Sequence, residues 1–195
     1  MTARTATVTR KTGETDINVE LDLDGSGLSE ILTGIGFLDH MLTALSKHSR
    51  IDLKLVCRGD LEVDEHHSAE DCGIALGEAL DRSLGDRSGI RRFGSAYAPL
   101  DESLARAVID FSGRPHADVN LYLRREMVGE LSCEMVPHVF ESLAITARMT
   151  LHLDVLKGRN DHHQTESAFK AFAIALRAAV SRDDSAGVPS TKGVL

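Results

Sequence analysis

One five-residue pattern occurs twice in this 195-residue chain, and it sets what the chain can fold into. His66-His67-Ser68-Ala69-Glu70 is matched, about half a chain later, by His162-His163-Gln164-Thr165-Glu166, and each copy opens an alanine-rich apolar run. Other segments recur at nearly the same offset. Gly13–Val19 aligns with Gly113–Val119, which sets Glu14 against Arg114, and His40 with Leu45 aligns with His138 with Leu143. The offset shrinks steadily along the chain, as a few loop deletions would produce. Such a sequence predicts one domain, 1–195, built of pseudo-repeats 1–91 and 92–186 with a tail, 187–195.

Periodicity places the elements. Thr5–Arg10 and Asp16–Leu23 alternate apolar and polar residues, as antiparallel strands do, and Asp24-Gly25-Ser26-Gly27 marks a turn. Phe37–Lys47 carries apolar residues at helical spacing, Ile51–Val56 reads as a strand, and Asp64–Leu84 as a helix. Gly85–Gly94 is the expected joint. The second half repeats the scheme with strands at Leu104–Phe111, Ala117–Leu123 and Met149–Val155 and helices at His138–Arg148 and His162–Ser181. Each half is expected to run strands, a helix with a histidine, a strand pair, then a helix opened by the His-His-x-x-Glu motif. This is an α+β chain with helices covering sheets.

On a helix, positions i and i+4 share a face, so His66 stands with Glu70 and His162 with Glu166. Imidazole with carboxylate at this spacing is a metal-ligand set, and its repetition predicts two metals. Adjacent helical residues point about 100° apart, so one ion does not take both histidines of a motif. His66 and Glu70 then serve one metal and His67 another, with the same division for His162, Glu166 and His163. Such sharing needs the two helices close together, between halves or between chains; the outward aim of each second histidine favours chains. His40 and His138, related by the repeat, would complete the two spheres. His48, His116 and His152 lack repeat partners and are read as structural or merely exposed.

Composition excludes several alternatives. Aromatic residues make up 4% with no Trp, which argues against base-stacking platforms. A net charge of −8 argues against a nucleic-acid binder, though a few local cations can still hold one phosphate. The three cysteines show no C-x-x-C spacing, and a reducing, cytoplasmic setting is expected. No stretch resembles a signal core or a membrane span.

Taken together, Arg10-Lys11-Thr12-Gly13-Glu14-Thr15, Gly36-Phe37-Leu38-Asp39-His40-Met41, Asp64-Glu65-His66-His67 with Glu70-Asp71, Arg91-Arg92-Phe93-Gly94, Gly113-Arg114-Pro115, Asp161-His162-His163 with Glu166, and Ser190-Thr191-Lys192-Gly193 closely resemble the imidazoleglycerol-phosphate dehydratases of histidine biosynthesis. The resemblance runs over essentially the whole chain. It implies two duplicated half-domains of the ribosomal protein S5 domain 2-like kind, each a four-stranded sheet with helices. It further implies a two-Mn²⁺ site where subunits meet in a shell of twenty-four chains. No additional phosphatase domain is expected.

The implied hydro-lyase reaction removes water from D-erythro-imidazole glycerol phosphate to give imidazole acetol phosphate. The proton that is lost has no carbonyl to acidify it. In the implied route, metals acting as Lewis acids hold the ring as imidazolate, which expels the neighbouring hydroxyl to give a diazafulvene-like intermediate. The resemblance carries over His40, His66, His67, Glu70, His138, His162, His163 and Glu166 as ligands, Glu14 as proton shuttle, and Arg92, Arg114, Lys170, Ser190 and Lys192 as phosphate contacts. Two other readings of the same histidines are a metal-storage shell and a dinuclear hydrolase. Glu14 and the basic set favour the dehydratase.

Overall fold

The computed structural model describes residues 3–183, 187–188 and 190–193. Two four-stranded sheets form, one from each half. The first contains β1 (Thr5–Lys11), β2 (Thr15–Asp22), β3 (Ser29–Leu32) and β4 (Asp52–Gly59), in the order β1-β2-β4-β3. The second contains β5 (Phe93–Leu100), β6 (Ser103–Asp110), β7 (His116–Asn120) and β10 (Thr150–Lys157), in the order β5-β6-β10-β7. Both sheets are mixed: β3 runs parallel to β4 and β7 parallel to β10, while the other pairs are antiparallel. A short hairpin of β8 (Met127–Val128) and β9 (Leu131–Ser132) lies between.

Alternation explains the inward faces. Ile17, Val19 and Leu21 of β2 and Leu53, Leu55 and Cys57 of β4 are buried, as are Ala105, Ala107 and Ile109 of β6 and Leu151, Leu153 and Val155 of β10. Helix α2 (His66–Leu84) covers the first sheet and α4 (Asp161–Val180) the second. The remaining two helices cross over. α1 (Gly36–Ser49), from the first half, packs on α4, and α3 (Met135–Thr146), from the second half, packs on α2. Small residues permit these approaches. A Cβ on Gly77 of α2 would stand 2.5 Å from the Leu143 carbonyl oxygen of α3, and one on Gly94 of β5 would stand 2.0 Å from the Ala175 carbonyl oxygen of α4. Among the described residues no helix is long and apolar enough to cross a membrane.

Three expectations are corrected. The segment between the paired helices is one strand in each half, β4 or β10, because its partners β3 and β7 precede the first helix instead. The expected joint ends early, since Phe93 and Gly94 already belong to β5. Strand for strand, the β1–β2 turn corresponds to the β5–β6 turn. Glu14, directly before β2, therefore answers to Glu102, directly before β6, and not to Arg114, which precedes β7. The glycine-anchored alignment had joined a hairpin turn to a loop of different place.

Candidate metal centre

The helix crossing gathers the metal-type residues. His66 and Glu70 stand on the first turns of α2, and His138 reaches them from α3. Glu70 has Oε1 at 3.1 Å from His138 Nε2 and Oε2 at 3.8 Å from His66 Nε2. His162 and Glu166 stand on the first turns of α4, and His40 reaches them from α1. Glu166 Oε2 lies 3.2 Å from His162 Nε2 and 3.3 Å from His40 Nε2. Each set offers three ligand atoms lying within 4.8 Å of one another. Local signals hold the helix starts in place. Asp64 accepts from the His66 N–H, Asn160 from the His162 N–H, and Asp39 from the N–H and hydroxyl of Thr33 ahead of α1.

Two imidazoles with one carboxylate and open positions suit a divalent ion of the Mn²⁺, Fe²⁺ or Zn²⁺ kind, so this donor set fits a metal. The two carboxylates are set differently. Burial pushes the Glu166 carboxyl up, but the hydrogen bond from Lys170, at 2.7 Å, and the contact with His40 outweigh it, and its pKa falls below the ordinary value. Glu70 has no such lysine: the residue four positions on is Ile74.

The second histidine of each motif points elsewhere. His67 Nδ1 donates to Asp60, at 3.1 Å, and its Nε2 lies 3.6 Å from Glu14 Oε1. His163 Nδ1 donates to Glu102 at 2.7 Å, and its Nε2 lies 3.9 Å from Asp101 Oδ2. The Asp60 bond raises the His67 pKa, and the Glu102 bond raises that of His163. Glu102 itself is held down to about 2 by His163 and by the N–H groups of Asn160 and Arg159. Glu14 projects from a turn in which Thr12 Oγ1 accepts from the N–H groups of Glu14 and Thr15.

A family model described as imidazoleglycerol-phosphate dehydratase matches residues 33–176. The chain belongs to the imidazoleglycerol-phosphate dehydratase family. Relatives of that name include one from Phytophthora nicotianae, 62% identical over 98% of this chain but only 42% of its own length. Those from Chlorobium luteolum, 56% identical over 98% of this chain and 96% of the relative, and from Saccharomyces cerevisiae, 51% identical over all of both chains, are matched along nearly their whole length. The crystal structure of the Staphylococcus aureus imidazoleglycerol-phosphate dehydratase superposes with a TM-score of 0.83 at 39% identity, covering 91% of this chain and 99% of that one. The Pyrococcus furiosus structure, in complex with (S)-C348, gives 0.84 at 38% identity, covering 96% and 100%. The α+β fold of two mixed four-stranded sheets is that of the imidazoleglycerol-phosphate dehydratases.

Within this family framework the basic residues are dispersed. Arg92 pairs with Asp110, Nε to Oδ1 at 2.6 Å, and lies over the Phe93 ring. Arg114 sits in an exposed loop before β7. Lys170 is committed to Glu166. Ser190 and Lys192 stand in a tight turn of the tail, where the Ser190 hydroxyl accepts from the Lys192 N–H. His116 and His152 meet at a tilt of 55°, with centroids 5.8 Å apart, and neither belongs to a triad. Sequence reading missed Asp60 and Glu102. An alignment by strand order rather than by glycine would have marked Glu102 as the counterpart of Glu14.

Proposed function

We propose that this chain dehydrates D-erythro-imidazole glycerol phosphate to imidazole acetol phosphate in histidine biosynthesis, using two Mn²⁺ ions in each active site. The observation that carries the reading is the pair of like-built triads, His40–His162–Glu166 and His66–Glu70–His138, whose four histidines all present Nε2. When bound, the two ions would supply Lewis acidity to the two nitrogens of the substrate ring. His67 and His163 face away from their own chain's triads, which supports their serving a neighbouring chain's ions. On this reading the active sites lie at subunit interfaces of a homo-oligomer of twenty-four chains.

Glu14 is the acid/base group. Its side chain is 54% exposed and stands beside the ligating edge of His67, so it can exchange a proton with a substrate carbon or hydroxyl held there. Arg114 offers a guanidinium fork to the phosphate, and Arg92, Lys170, Ser190 and Lys192 complete the set. The three cysteines are free and buried, in keeping with a cytoplasmic enzyme. The test is turnover of imidazole glycerol phosphate by chelated protein, with and without added Mn²⁺. Dehydration should vanish on chelation and return with the ion. Absence of dehydration in the metal-loaded protein would refute the proposal.

A further inference from the structure

The two halves hold their second motif histidine by different means. In the first half the Nδ1 of His67 is bonded by Asp60, the residue directly after β4. The structurally equivalent place in the second half follows Gly158. Gly59 and Gly158 are equivalent because each is crowded by the same two elements: a Cβ on Gly59 would meet Ser68 of α2 and Thr15 of β2, and one on Gly158 would meet Gln164 of α4 and Ser103 of β6. The residue after Gly158 is Arg159, which has no acceptor to offer an imidazole N–H. The loop to the helix is also shorter there, 159–160 against 60–65.

Glu102 takes over that task. Its Oε1 accepts from the N–H groups of Arg159, at 3.1 Å, and Asn160, at 2.8 Å, while Oε2 accepts from His163 Nδ1. Its side chain is 28% exposed, and both oxygens are committed. In the first half the same approach of hairpin to loop is made by backbone alone, the Asp60 N–H donating to the Glu14 carbonyl oxygen at 3.1 Å. Among the described residues the Glu14 carboxylate is left with only the 3.6 Å approach to His67 Nε2.

We infer that Asp60 and Glu102 are positioning residues that hold His67 and His163 with Nδ1 protonated and Nε2 open to a metal, and that Asp60, by taking this task in the first half, frees Glu14 for proton transfer while its counterpart Glu102 is bound to its histidine. A carboxylate on the far nitrogen fixes the ring and tautomer of a ligating histidine, and its loss commonly weakens metal binding about 10–100-fold. The duplicated hairpin glutamate has thus taken two different tasks. The inference rests on the ligand role proposed above for His67 and His163.

Glu102→Gln is the discriminating change. Its amide oxygen can still accept from Arg159 and Asn160 and keep the loop, but its NH₂ turned toward His163 favours the tautomer that closes Nε2. Mn²⁺ binding by the assembled protein would be titrated by electron paramagnetic resonance of the free ion, beside thermal unfolding of the metal-free protein. Glu102→Gln should weaken one class of Mn²⁺ sites by about 10–100-fold with the metal-free Tm unchanged. Asp60→Ala, which removes the acceptor, should do the same for the other class. Glu14→Gln should leave both intact. If His163→Ala loses metal while Glu102→Gln and Asp60→Ala bind as the unaltered protein does, the positioning role is wrong and the ligand reading stands. If His163→Ala and His67→Ala bind Mn²⁺ normally, the ligand reading itself falls. Lost turnover in Glu102→Gln with undisturbed metal binding would make Glu102 a second acid/base group and overturn the division of tasks.

Discussion

Replacing Gly77 by Ala should damage a metal site without touching a ligand. Gly77 lies on the face of α2 that meets α3, one turn along from Gly73, whose own added Cβ would stand 2.8 Å from the Val139 carbonyl oxygen. An added Cβ at 77 would lie 2.0 Å from Thr146 Oγ1, 2.5 Å from the Leu143 carbonyl oxygen and 2.9 Å from the Ala147 nitrogen. The threonine can rotate, at the loss of its bond to the Ile74 carbonyl across the interface. The backbone atoms cannot. To reach the ~3.3 Å of a close C···O contact, α3 must retreat by about 0.8 Å. Overpacking of this kind costs about 1–3 kcal/mol, while replacing a helical Gly by Ala returns at most about 1 kcal/mol.

The net is a loss of up to about 2 kcal/mol, or as much as roughly 8 °C in Tm for a chain of this size. The same retreat moves His138 away from Glu70 and His66, whereas metal sites tolerate displacements of only about 0.2 Å. The His66–Glu70–His138 triad should therefore bind Mn²⁺ more weakly while His40–His162–Glu166, built on α1 and α4, is unaffected. Thermal unfolding of the metal-free protein and Mn²⁺ titration read both effects. A raised Tm with two undisturbed classes of site would mean that helix propensity wins and that the close approach of α2 and α3 does not govern the site.

Other perturbations probe the remaining claims. Glu14→Gln should lower kcat by at least about 100-fold with Mn²⁺ content unchanged; near-full turnover would remove the proton role. Ending the chain after Val188 should raise KM far more than it lowers kcat, and unaltered kinetics would take Ser190 and Lys192 out of the site. Chelation should reduce the assembly size seen by light scattering, because binding energy at shared sites is association energy; an undiminished particle would contradict shared ligation. The hydrogen bond from Arg4, with help from Arg182 and against desolvation, lowers the Asp24 pKa from 3.8 to about 2. Its stabilising contribution is therefore complete above pH ~4 and lost as the pH falls toward ~2, so Asp24→Asn should flatten the urea midpoint across that window, and an unchanged slope there would deny the linkage.

Much of this was legible in the residues. The four helices follow from apolar spacing, and His66 with Glu70 and His162 with Glu166 stand together because i,i+4 geometry survives any tertiary arrangement, while His40 and His138 join them through helix packing. Strand β3 was missed because it shows no inward alternation, Leu32 being 58% exposed. Strand β5 was missed because Gly94, Ala96 and Ala98 are small where a strand usually carries branched residues. They are small because α4 lies directly on them. Which helix packs against which is not written in periodicity. The choice between pairing across halves and pairing across chains was decided for the triads by the α1–α4 and α2–α3 contacts.

That crossing shows why neither half alone assembles a triad. A single half carries a histidine on its first helix and a His-x-x-x-Glu face on its second, yet these two never meet: His40 belongs with His162 and Glu166, and His138 with His66 and Glu70. One half has two ligands of one set and one of the other, and two halves complete both. Like donors then arise twice from one plan, which on the proposed function would serve the two nitrogens of an imidazole ring. The surroundings of the two sets have diverged. Lys170 sits where the first half has Ile74, and Arg159 where it has Asp60, while the paired hairpin glutamates meet different partners. On the proposed function, a substrate with two ring nitrogens and a phosphate at only one end would call for this combination, like donors set in unequal walls.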